Sequence, residues 1–172
     1  RASLDAAWLE RAVALTETMI ERFGDDSAGG FFESPAGDPH VRVRLKSDHD
    51  GAENSGNSIA ALNLVTLGRL CERHDWLERA ERAFEFYARR LDRAPLAMPQ
   101  LLIAMSLAAG TPRHVVVAGR RDGADTRALV RAFDARFLPE DLLLLADAAP
   151  GAGRLSKLAP FVAALTPLRA QA

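Results

Sequence analysis

Cysteine is all but missing from this chain. Cys71 stands alone among 172 residues, which excludes an internal disulfide framework and any zinc site built from cysteines alone. Charge of one sign is missing too: 22 Lys and Arg face 23 Asp and Glu, for a formal net charge of −1. No basic excess advertises nucleic acid, and no acidic excess suggests a disordered tail. No apolar run approaches the roughly 18 residues of a membrane helix, and the first residues are amphipathic rather than signal-like. The sequence has no H-E-x-x-H, no Gly-x-Ser-x-Gly elbow, no G-x-G-x-x-G and no Walker lysine. What remains reads as a soluble, cytoplasmic, helix-rich protein of one domain, or one domain with a small appendage. The chain opens on Arg1 rather than methionine and runs straight into a helical pattern, so we read it as a piece of something longer.

Two kinds of helix alternate along the first 110 residues. From Ser3 to Phe23, Trp8, Leu9, Ala12, Val13, Met19, Ile20 and Phe23 recur at three- and four-residue steps, opposite Glu10, Arg11, Glu17, Glu21 and Arg22. Ser3 suits an N-cap and Gly24 a C-terminal stop. From Ser58 to about His74 almost no polar face is left, because Ile59, Ala60, Ala61, Leu62, Leu64, Val65, Leu67 and Leu70 surround the helix. Asp75 then caps a third, amphipathic helix carrying Leu77, Ala80, Phe84, Tyr87, Ala88 and Leu91, and Ala97 to Ala109 is again apolar nearly throughout. A helix apolar all round belongs inside a structure. Alternation of the two kinds is the pattern of an inner ring of helices within an outer ring, whereas a four-helix bundle repeats one amphipathic kind. Two hairpins are too few to close such a ring.

The pattern changes after Gly110. His114 to Ala118 is a β-branched run, Gly119 to Asp125 a polar loop, Thr126 to Phe137 an amphipathic helix, and Asp141 to Ala146 a second apolar strand. The spacing predicts a β-α-β unit with parallel strands and a right-handed crossover. Pro150 to Gly153 opens a weaker tail, with a last short helix between Leu155 and Leu165 interrupted by Pro160.

The segment between Gly24 and Asn57 is too long for an idle connection. Within it, 30–34 and 40–46 flank the turn-rich Pro35 to Asp38, and Val41, Val43 and Leu45 alternate with Arg42, Arg44 and Lys46. That alternation predicts a β-hairpin insertion at about 30–46 with one apolar and one cationic face. A polar cluster follows, from Lys46 to Ser58, and leads into the start of the most apolar helix, where free N–H groups favour anions and carboxylates. Asp50, Asp48 and Glu53 are the candidate catalytic acids and bases. Arg44, Lys46, Ser55 and Asn57 are candidate ligand-binding residues, and Phe31 and Phe32 can stack on a sugar or simply pack. The alternative stands beside this: Ser55 or Asn57 caps the helix, Gly51 and Gly56 make turns, and the acids are solvated. Calcium does not fit, since an EF-hand count from Asp48 places Glu53 where Gly is needed and Ile59 where Glu is needed. His40, His49, His74 and His114 are scattered, so no metal is assigned. Cys71 reads as a packed thiol. No cofactor is implied. Arg120 and Arg121 suit an anion, but their loop lacks any phosphate-binding motif and reads as a plain connection.

Three separated segments carry a family resemblance. They are GGFF at Gly29 to Phe32, RLKSDHDGAENSGNSIAALNL at Arg44 to Leu64, and RHVVVAGRRDGADTRALV at Arg113 to Val130 with the leucine strand after it. In this order and spacing the chain resembles the C-terminal part of the thioredoxin-domain-containing proteins related to spermatogenesis-associated protein 20, the YyaL-type group. The family motif falls on Arg44, Lys46, Asp50, Gly51, Ala52, Ser55, Gly56, Asn57, Ser58 and Asn63. Asn54 stands where the family usually has Pro, and Gly24 where it has an aromatic.

The resemblance implies a mainly α fold: part of an (α/α)6 toroid over 1–110, similar to six-hairpin glycosidases and N-acylglucosamine 2-epimerases, with a small β-α-β unit over 111–172. It implies as partners further N-terminal hairpins and a thioredoxin-like domain, or self-association, with a sugar-like small molecule as possible ligand and neither nucleic acid nor membrane. Two functions follow. One is a carbohydrate-directed toroid of hydrolase or isomerase type, with Asp50 helped by Asp48 or Glu53. The other is a non-catalytic scaffold whose polar residues satisfy buried helix ends.

Overall fold

A computed structural model describes residues 4–147 and 153–165. Eight elements follow in chain order: α1 (Ala6–Phe23), α2 (Gly56–Leu70), α3 (His74–Arg93), α4 (Pro99–Ala109), β1 (His114–Gly119), α5 (Ala124–Asp134), β2 (Leu142–Asp147) and α6 (Gly153–Leu158). Single 3-10 turns at Pro95–Ala97 and Pro160–Ala164 precede α4 and end the described chain. The protein is mainly α with a small β unit. Among the described residues no helix is long and apolar enough to cross a membrane. The chain divides into two compact units, Ala12–Thr111 and a second made of Arg1–Arg11 with Pro112–Ala172.

In the first unit α2 packs against both α3 and α4, and the chemistry at the ends of α2 and α4 fixes their directions. The carboxylate of Asp50 bridges the starts of α2 and α4, accepting from the backbone N–H of Ser55 and of Gln100, both at 2.8 Å. At the far end the Arg69 guanidinium donates to the carbonyls of Leu107 and Ala108 at 2.8 and 2.5 Å. A cation there satisfies carbonyls that a helix end leaves open. Hence α2 and α4 run parallel, pinned at both ends, and α3 connects them in the chain.

Small residues allow close approach along this seam. Ala60, Ala61, Ala80, Ala83 and Ala104 are fully or almost fully buried, and Gly68 lies so near α3 that a Cβ there would meet Leu77 Cδ2 at 2.9 Å. Larger groups fill the space on either side. Phe31, Leu64, Val65 and Trp76 form one cluster, against which Val13, Ile20 and Phe23 of α1 pack. Tyr87, Leu91, Met98 and Leu101 form another. A fully buried side chain of this size contributes about 2–3 kcal/mol relative to exposure.

The second unit is the expected β-α-β. β1 and β2 pair in parallel, with His114 opposite Leu142 and Gly119 opposite Asp147. Alternate residues Val117, Leu143 and Leu145 are buried with Phe133 of α5, and Leu4 packs against the same cluster. Asp141 ties the two strand starts together: it accepts the Arg113 N–H at 3.1 Å and the Arg113 guanidinium at 2.7 Å. Arg120 pairs with Asp122 at 2.9 Å in the loop after β1. His114 stacks on Phe161.

Several boundaries move by a few residues. α2 begins two residues before Ser58 and ends at Leu70, and α4 begins at Pro99, after its 3-10 turn. α5 ends at Asp134 rather than at Phe137. The proposed cap Ser3 and the tail start at Pro150 lie outside the described residues, while Asp5 Oδ1 accepts the Ala7 N–H at 3.0 Å at the start of α1.

The hairpin expected at 30–46 is a correction: no strand forms there. The two arms do meet, through a backbone bond from Glu33 N–H to the Leu45 carbonyl at 2.8 Å, while an antiparallel bridge between Phe31 and Gly24 ties the first arm to the end of α1. Over 43–46 the expected facing is also inverted, although Arg42 is exposed. Val43 and Leu45 are 70% and 62% exposed, while Arg44 and Lys46 turn inward. The reason is chemical. Inside this loop lie carbonyls, a carboxylate and aromatic faces, which reward cations more than they reward a valine.

Candidate functional site

The polar block before α2 starts with a backbone problem. A buried helix start exposes four N–H groups that need acceptors. Ser55 is the N-cap of α2, with extended backbone, and its Oγ accepts the Ser58 N–H at 3.1 Å. Asp50 serves α2 and α4 together, as described, and its own N–H donates to the Ala97 carbonyl at 2.7 Å. It is 8% exposed. Burial pushes its carboxyl upward in pKa, but the bonds from Ser55, Ser58 and Gln100 outweigh that and hold it below the ordinary carboxylate value. Asp50 is thus ionised at neutral pH, with both oxygens engaged. A general acid needs the opposite shift.

Asn57 is almost completely buried and binds the Phe31 peptide through both its amide atoms, Oδ1 accepting at 2.7 Å and Nδ2 donating at 2.8 Å. Gly30, beside it, adopts φ +72°, and a Cβ there would sit 2.9 Å from Asn57 Oδ1. Phe31 itself is a core residue, 5% exposed.

The cations form a second cluster on the same loop. The Lys46 ammonium pairs with Asp25 at 2.8 Å, donates to the Gly29 carbonyl, and lies 3.9 Å from the Phe86 ring centre and 4.9 Å from that of Phe32. It holds the Asp25 carboxyl far below its usual range, helped by bonds from Ser27 and Ala28. The Arg44 guanidinium also lies over Phe32, 3.9 Å from its centre, and donates to the Ser34 carbonyl at 2.8 Å. The Tyr87 hydroxyl donates to the Ser47 carbonyl at 2.8 Å. Burial raises its pKa, and the charges of Asp48 and Glu33 raise it further.

The two remaining acids are elsewhere in character. Asp48 is an exposed carboxylate paired with Arg90 at 3.1 Å. Glu53 is exposed, and only its backbone carbonyl is used locally, accepting from Gly51 N–H at 3.0 Å. Among the described residues no cluster of three or more His, Cys, Asp or Glu is arranged to hold a metal. Cys71 follows α2 half-buried, and burial raises its thiol pKa.

The structure therefore gathers the sequence candidates into two groups around one loop. Asp50, Ser55, Asn57 and Ser58 bind helix starts and the Phe31 peptide; Arg44 and Lys46 lie over Phe32, and Lys46 also over Phe86. The partners were not legible beforehand. Asp25 lies 21 residues from Lys46 and Gln100 lies 50 from Asp50. The one available signal was Pro99, a residue suited to the first helical position, which marks a start with amides to satisfy. The partners of Arg69, at the other end, lie 38 and 39 residues away.

No family model matches the chain. It is 37% identical over 175 aligned residues, 99% of its length, to human spermatogenesis-associated protein 20, and 34% identical over 95% of its length to the rat protein of that name. An uncharacterized protein of Caenorhabditis elegans, B0495.5, is 34% identical over 57% of the chain. The chain spans about a fifth of the length of the human and rat relatives (22% and 21%). With near-complete alignment at this identity, the chain belongs to the spermatogenesis-associated protein 20-like family.

Proposed function

We propose that this chain is a structural, non-catalytic part of a longer spermatogenesis-associated protein 20-like protein: two helical hairpins of an (α/α) toroid followed by a β-α-β appendage, from the C-terminal portion. The observation that carries this reading is the state of Asp50. Both its carboxylate oxygens and its N–H are engaged with the starts of two parallel helices, and its pKa is lowered. The motif block then works as a staple that sets where inner helices begin. Proposed partners are further hairpins of the same toroid and a thioredoxin-like domain, or a second copy of the chain. A single cysteine suits a reducing, cytoplasmic compartment.

The carbohydrate-directed reading has a narrower footing. Acid/base chemistry on a sugar would run on Asp48 and Glu53, whose carboxylates are exposed, with Asp50 only positioning them. Calorimetric titration of the full chain with mono- and oligosaccharides tests the two readings, using Asp50→Asn and the pair Asp48→Asn with Glu53→Gln. The scaffold reading expects no saturable sugar heat, and early unfolding for Asp50→Asn alone. Saturable binding that the Asp48 and Glu53 variant abolishes, with stability unchanged, would overturn it.

A further inference from the structure

We draw no further inference here: the strongest candidate, the loop segment at 41–46 along which Val43 and Leu45 face outward, is an unpartnered apolar surface, and nothing in the structure shows what covers it.

Discussion

Asn57 grips the Phe31 peptide from both sides, accepting its N–H and donating to its carbonyl within 2.7 to 2.8 Å. One side chain in the first turn of α2 thereby does for Phe31 what a neighbouring strand does in a sheet. Phe31 is 5% exposed, so removing the side chain takes away the partners of two backbone groups held away from bulk water.

Asn57→Ala should lower stability by about 2–4 kcal/mol, the sum of two lost bonds and two stranded backbone groups. A urea titration followed by tryptophan fluorescence reads the effect through Trp76, which is fully buried in the cluster that includes Phe31. An unchanged midpoint would mean that the loop carrying Phe31 is held by other contacts.

Asp50→Asn keeps the size of the side chain but turns an amide N–H toward a backbone donor. The expected loss is about 2–3 kcal/mol at neutral pH. The sign of the pH dependence follows from the lowered carboxyl. Its stabilising contribution is complete above the unfolded value of about 3.9 and is lost as pH falls through the lower folded value. The stability gap between the native chain and Asp50→Asn should stay constant near neutrality and close below about pH 4. A gap that widens in acid would contradict the assignment.

Lys46→Met leaves the Asp25 carboxylate without its ammonium in a place where the two side chains are 11% and 8% exposed respectively. The loss should be about 2–3 kcal/mol, on the lower side for broken buried pairs because other donors still reach Asp25. Adding Asp25→Asn should restore part of it. Thermal melts of the two single variants and the double variant complete the cycle; strict additivity would show that the pair is not coupled.

Gly29→Ala places a Cβ 2.5 Å from the Arg82 carbonyl oxygen, at a φ of +86°. Both facts oppose any side chain, so destabilisation of at least about 2 kcal/mol is expected. Gly56→Ala is the contrast. It opens α2 and has nothing within 4 Å of the added methyl, so it should change stability by no more than about 0.5 kcal/mol. Equal effects in circular-dichroism melts would argue against the backbone explanation.

The expectations met the structure unevenly, for identifiable reasons. The helices and the β-α-β unit were legible because their signals are local and periodic: Leu77, Ala80, Phe84, Tyr87 and Leu91 mark a stripe on α3 whatever lies opposite. The segment at 30–46 was read as a hairpin from the same kind of signal, and there periodicity misled. Its alternation is real, but Arg44 and Lys46 turn inward, because Phe32, Phe86, Asp25 and two loop carbonyls surround them, while Arg42 stays exposed. The candidate site was legible as a cluster. The use of each member was not, since Gln100, Asp25 and Phe31 come to it from distant places in the chain.

By itself the sequence determined the order of the helices, the parallel β-α-β unit and the residues of the motif block. These depend on spacing between neighbours of 2 or 3.6 residues. Only the tertiary structure decided that α2 and α4 lie parallel, that Asp50 and Arg69 fasten their two ends, and that Arg44 and Lys46 point inward while Val43 and Leu45 do not. Those outcomes depend on which donors, acceptors and ring faces meet across the fold, and a buried polar group takes whatever partner the packing brings to it.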